Sequence, residues 1–198
     1  MAQAGAATSR PGPRLGVLPF VDGTGGSARA AGISAAQTLI DEVAKATELV
    51  GVAVNDLAER KPVDDAAALD AARRHGLDYV FVGTVLEATS RESSRGGWLP
   101  KIKSSSIHVT IRSIEAKTSI QGVLLDVSSG QRLLTTTVKR GHRDNAYAGR
   151  VWSAWGSWDV GDHAAFLASP MGQAFVEASR EMTKNIAEVT AQHAATTR

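Results

Sequence analysis

The run "DYVFVGTVL", Asp78–Leu86, constrains the fold more than any other stretch of the chain. It is almost uninterrupted in β-branched, aromatic and aliphatic residues, yet far below the roughly 18–20 residues that a membrane-crossing helix needs. A run of this kind, bounded by Gly76 on one side and a polar stretch on the other, reads as a buried strand. The rest of the chain must supply the elements that bury it.

Those elements can be read in order. From Arg14 the run "RLGVLPFV" is an apolar strand followed by the Gly-rich loop "DGTGGS". In "AAGISAAQTLIDEVAKATELV", Ala36, Leu39, Ile40, Val43 and Ala46 fall on one stripe of an amphipathic helix. "LVGVAV" is a second short strand, and "NDLAER" a helical turn ended by Pro62. "VDDAAALDAARRHG" is an Ala-rich helix with Asp64 or Asp65 near its start and Gly76 as its C-terminal stop. After the buried strand and a long excursion, "SIQGVLLDVSSGQRLLTTTVKR" reads as a hairpin turning at Ser128–Gly130. "SPMGQAFVEASREMTKNIAEVTAQ" closes the chain as a long helix, with Ser169 as cap and Pro170 in the first turn. Its buried face is Phe175, Ala178, Met182, Ile186 and Val189. The expected fold is α/β (α+β): a compact core of three helices and a mixed sheet.

Two segments, 87–118 and 131–166, stand outside this core as insertions, and residues 1–13 read as a disordered tail. The insertions carry eleven basic and six acidic residues, against eleven and fourteen elsewhere. They also hold all four tryptophans: Trp98 in the first, and Trp152, Trp155 and Trp158 in the second. Positive charge travelling with tryptophan suits a surface that meets a membrane or a polyanion, although solvated loops share the charge pattern. Each insertion is long enough for two strands and a turn, and a membrane-crossing strand needs about 9–11 residues. In "IHVTIRS", Ile107, Val109 and Ile111 point one way, as a lipid-facing strand would, and His108, Thr110 and Arg112 the other. Soluble half-buried hairpins alternate in the same way. The tryptophan spacing of three also suits a helical turn, so a mobile aromatic loop or a protein-docking patch stays open. If the hairpins span a membrane, four strands cannot close a barrel alone, and several protomers must share one.

Other classes are constrained by what the chain lacks. With no Cys there is no disulfide framework, cysteine metal site or thiol nucleophile. The five histidines (His75, His108, His142, His163, His193) are scattered without an i+4 partner, so no catalytic residue, metal site or cofactor is expected, and no nucleic-acid partner. His142 and Asp144 read as neighbours in a basic turn. The pattern G-x-G-x-x-A, Gly23–Ala28, sits between a strand and a helix as in a dinucleotide-binding loop. Asp56, its candidate ribose partner, lies too far along the chain for a comfortable match.

Taken in order, "LGVLPFVDGTG", "GLDYVFVGTVLEA", "VLLDVSSGQRLLTTTV" and "SPMGQAFVEASREMTKNI" resemble the CsgG-like curli secretion channel family, which belongs with TolB N-terminal-like and LpoB-like periplasmic domains. The resemblance implies no enzyme. It implies an outer-membrane lipoprotein pore passing unfolded polypeptide, built as a homo-oligomeric ring of about nine protomers around a transmembrane β-barrel. The partners implied are other copies of the chain, outer-membrane lipid, secreted polypeptide cargo and an accessory gating protein. Thr24, Gly25, Gly26, Ser27 and Arg29 fall by position at the pore constriction, and Trp98, Trp152, Trp155 and Trp158 at the membrane interface. The chain lacks the family's signal peptide and lipid-bearing Cys, which makes Met1 the expected site of that Cys in a mature form. The alternative is a soluble periplasmic binding module of the LpoB-like or TolB-N-like kind that docks a partner protein.

Overall fold

The computed structural model describes residues 12–24, 29–56, 64–98, 108–147 and 163–196. Among these residues six strands and four helices follow one another as β1 (Arg14–Val17), β2 (Val21–Asp22), α1 (Arg29–Ala46), β3 (Val50–Ala53), α2 (Asp65–Arg74), β4 (Tyr79–Trp98), β5 (His108–Asp126), β6 (Arg132–Tyr147), α3 (His163–Ala168) and α4 (Pro170–Thr196). The sheet order is β3-β1-β4-β5-β6, with β2 off this path and paired with β4. β1 lies parallel to β3 and β4, while β4, β5 and β6 run antiparallel. This is a mixed α+β fold, as the sequence led us to expect.

Alternation along the central strands explains the layers. On β4, Tyr79, Phe81 and Val85 point to one face and Val80 and Val82 to the other; on β5, Ile120 and Leu124 share the first face. The first face packs on Leu39 and Val43 of α1, Phe166 of α3, and Phe175, Met182 and Ile186 of α4. Fully burying side chains of this size contributes about 1.5–3 kcal/mol each. The second face is covered by Ala68, Leu69, Ala71 and Ala72 of α2, together with Leu77. Leu77 fills the space beside Gly16 on β1, where an added Cβ would stand 2.4 Å from its Cδ1.

Local signals set most boundaries. Asp64 caps α2 by accepting from the Ala67 N–H, and Gly76 follows the helix at φ 61°. Ser169 accepts from the Gly172 N–H at 2.9 Å and donates to the Phe166 carbonyl at 2.7 Å, joining α3 to α4. α3 is a fourth helix beside the three expected; its Phe166 packs on Phe175 with ring centroids 5.6 Å apart. On α1 the expected stripe is buried at Ala36, Leu39 and Val43 but not at Ala46, which is exposed where Thr47 closes the helix on the Val43 carbonyl. No described helix is long and apolar enough to cross a membrane.

Candidate functional site

β4, β5 and β6 run on past the part of the sheet that α2 covers, as a three-stranded ribbon with α4 against one face. β2 stops pairing at Val85, the register shifts between Val85 and Glu87, and Leu86 at that irregularity is 45% exposed. Pairing then continues without a break to Trp98 opposite His108 and to Tyr147 opposite Ile111. One ribbon face carries Ala88, Thr118, Ala116, Arg140 and His142. That face is tied to α4: Arg140 pairs with Glu181, and His142 Nδ1 lies 3.1 Å from Glu177 Oε1. The opposite face presents Thr89, Arg91, Lys117, Lys139 and Arg143, all exposed. There Lys117 pairs with Glu115 at 3.3 Å, and Arg143 Nε donates to Ser113 Oγ at 2.8 Å.

A second feature is a cleft of about 560 Å³ at the other end of the sheet, lined by Gly76, Asp78, Tyr79, Asp126, Ser128 and His193 among others. Asp126 closes the β5–β6 turn by accepting from the backbone and hydroxyl of both Ser128 and Ser129, with Gly130 at φ 73° completing the turn. Burial alone would raise the Asp126 carboxyl. The hydroxyls of Ser129 and Ser128, then their backbone N–H groups, outweigh it and hold the carboxyl below its usual range. Tyr79 moves the other way: burial, then the charges of Asp126 and Asp78, push its phenol up and keep it protonated.

Serine, histidine and aspartate therefore meet here, but not in the order nucleophilic catalysis needs. Ser128 Oγ donates to Asp126 at 3.0 and 2.9 Å, while His193 Nε2 lies 3.5 Å from Asp126 Oδ2. The base is thus set against the carboxylate, and the hydroxyl proton is directed to that carboxylate as well. Elsewhere His75 and Arg74 engage Asp56 at 3.1 and 3.5 Å, which occupies the carboxylate considered for a ribose. His163 lies 3.6 Å from Asp41. Among the described residues no group of three His, Cys, Asp or Glu side chains is placed to hold a metal.

The residues singled out in the sequence fall as follows. Thr24 donates through both N–H and Oγ1 to Asp22 Oδ1, at 2.8 and 2.6 Å, in a tight turn after β2. Gly25, Gly26 and Ser27 lie outside the described residues, and Arg29 is the first residue of α1. Trp98 ends β4; Val109 and Ile111 lie on β5 opposite Gly97 and Arg95. Ile107, Trp152, Trp155 and Trp158 lie outside the described residues. His142 and Asp144 are not in a turn but on β6, where His142 faces α4. The Asp126 network escaped the sequence reading, although an Asp two residues before a Ser at a hairpin turn is its signature. The buried carboxylate of Glu42, held by Lys45 at 2.9 Å and Arg180 at 3.0 Å, carried no local signal, since Arg180 is remote in sequence.

Where the ribbon's side chains are described, they do not make a lipid-facing barrel wall: Ala116 and Ile114 are buried, at 0% and 6% exposure, and the exposed side chains are Thr89, Arg91, Lys117, Lys139 and Arg143. A barrel wall requires the reverse, an apolar face left free for lipid.

No family model and no curated protein matches the chain. Among solved structures it is similar to the hypothetical protein CT253 from Chlamydia trachomatis, at 12% identity over 91% of this chain and 99% of that one, TM-score 0.54. It is also similar to the PelC dodecamer from Paraburkholderia phytofirmans (16%, 86% and 84%, TM-score 0.47) and to the LpoB C-terminal domain from Salmonella enterica (16%, 68% and 86%, TM-score 0.42). The resemblance to the curli secretion channel is corrected: the solved structure matched at a TM-score of 0.54 is the Chlamydia trachomatis protein, not such a channel. The curli-secretion, pore and outer-membrane barrel expectations are withdrawn with it. What the likeness to the Chlamydia trachomatis protein shows is the fold alone.

Proposed function

We propose that this chain is a non-catalytic docking module that binds a partner protein through its β4–β5–β6 ribbon. The observation that carries the reading is the ribbon itself. Three strands of the core sheet run on past α2, backed by α4 on their other face, and hold an exposed face of Thr89, Arg91, Lys117, Lys139 and Arg143 in fixed register. Paired backbone makes such a surface rigid, which limits the ordering cost of binding. The cleft at the opposite end supports the non-catalytic part, because its carboxylate is consumed by the turn. An envelope location belongs to the same proposal. It is read from the sequence pieces that resemble TolB N-terminal-like and LpoB-like periplasmic domains, and cell fractionation tests it.

Photo-cross-linking in cells tests the docking reading. A photoreactive residue at Thr89 or Lys117 is expected to give a discrete adduct that one at the exposed Ala44 of α1 does not. Equal adducts at all three positions, or none at the ribbon, would remove the reading.

A further inference from the structure

We infer that the outer edge of β6 is a strand-addition site for an extended acidic peptide. This deepens the docking reading and rests on it. β6 is the last strand of the sheet, and among the described residues nothing pairs with it beyond β5. Along Arg132–Tyr147 it therefore offers a row of backbone donors and acceptors to an incoming strand.

Charge on both sides of that edge selects the occupant. Lys139 and Arg143 lie on the open face, and among the described residues neither has a carboxylate within ion-pair distance. On the helix side a groove of about 450 Å³ is lined by Arg140, Glu177, Arg180, Glu181 and Lys184. Its two carboxylates are engaged by β6, Glu181 with Arg140 and Glu177 with His142, and Arg180 is engaged by Glu42. Lys184 is left without a carboxylate among the described residues. β6 itself carries Arg132, Lys139, Arg140 and Arg143 against the single carboxylate of Asp144. A strand added here sends alternate side chains to the two faces, so glutamates on one side meet Lys139 and Arg143 and on the other Lys184. Lysines on an edge also serve simply to repel other strands, and the test separates that role from binding.

The probe is a fluorescein-labelled peptide of alternating glutamate and threonine, read by anisotropy in low salt with the full chain. Three controls accompany it: lysine in place of glutamate, the acidic peptide with alternate backbone nitrogens methylated, and the chain carrying Lys139→Glu with Lys184→Glu. Lys139→Ser with Lys184→Ser serves as a milder pair whose fold circular dichroism verifies. The acidic peptide is expected to bind saturably and to slow amide exchange along β6. The lysine and N-methylated peptides are expected not to bind, and the charge-reversed chain to bind about tenfold more weakly or worse. The idea is overturned if the acidic peptide does not bind, or if the methylated one binds equally, because charge alone then suffices. Protection of β6 that grows with protein concentration while the particle mass doubles also overturns it, since the occupant is then a second copy. Ribbon cross-links that persist without peptide binding would leave the docking module standing and remove only this site.

Discussion

The ring of Phe81 occupies the space that a side chain at Gly122 would need: a Cβ there would stand 2.3 Å from Phe81 Cζ and 3.4 Å from Met182 Cε. Phe20 covers Gly83 in the same manner at 2.5 Å, and the two rings lie 6.0 Å apart between sheet and helices. The aromatic layer over β4 and β5 thus depends on two glycines beneath it.

Gly122→Val is therefore expected to destabilise the chain, although valine suits strands in general. Phe81 and Met182 are both fully buried in one cluster, so a valine there must displace packed side chains. Overpacking of this kind costs about 1–3 kcal/mol. A lowered urea midpoint at unchanged slope checks it, and an unchanged midpoint would mean that the ring has other room.

The Asp126 turn makes stability depend on acid. The folded carboxyl lies below its ordinary range, so as pH falls the unfolded chain binds the proton first and stability drops. The contribution is complete above the ordinary carboxyl value near 4 and is lost as pH falls through the lowered folded value. Asp126→Asn is expected to cost about 1.5–3 kcal/mol at neutral pH, the range for hydrogen bonds to a charged group. The gap between parent and variant should narrow in denaturant titrations below pH 4. A gap independent of pH would show that the carboxylate charge is not what the serines stabilise.

Much of the core was legible because its signals are local. Asp64, Gly76, Ser169 and Pro170 mark helix ends, Ser128–Gly130 marks a turn, and Phe175 to Ile186 repeats at helical spacing. The ribbon was harder. Alternation was visible at Ile107, Val109 and Ile111, but it does not say which ribbon face meets lipid or a helix. In Ala116 and Thr118 the answer depends on α4, whose residues lie far along the chain. The same distance hid Glu42 and Arg180, which local pattern cannot connect.

Ser169 stands where two helices share one hydroxyl. It accepts from Gly172 and donates to Phe166, so Ser169→Ala removes a cap and leaves a buried carbonyl without that donor. The expected cost is about 1–2 kcal/mol. Asp64→Ala on the exposed start of α2 removes a cap alone and is expected to cost less, about 0.5–1 kcal/mol. Melting of both variants against the parent checks the order, and a reversal would mean that α3 does not share the cap.

Glu42 joins α1 to α4 through Arg180. Its carboxylate is nearly buried while the Arg180 side chain is 61% exposed, so the pair is only partly shielded from water. Burial pulls the Glu42 carboxyl upward, but hydrogen bonds from Lys45 and Arg180 and their charges bring it below its usual range. The sign is therefore that of Asp126: the pair stabilises above the ordinary carboxyl range and fades as pH falls through the lowered folded value. A double-mutant cycle with Glu42→Gln and Arg180→Met isolates the pair from the packing each change disturbs. Because Arg180 is mostly in water, the coupling at neutral pH is expected near the upper end for exposed pairs, about 1 kcal/mol. It should shrink toward zero in acid and weaken in high salt. A coupling that stays constant from neutral pH to strong acid would mean that the helices are held by the apolar contacts around Val43 and Phe175, with the ion pair contributing nothing.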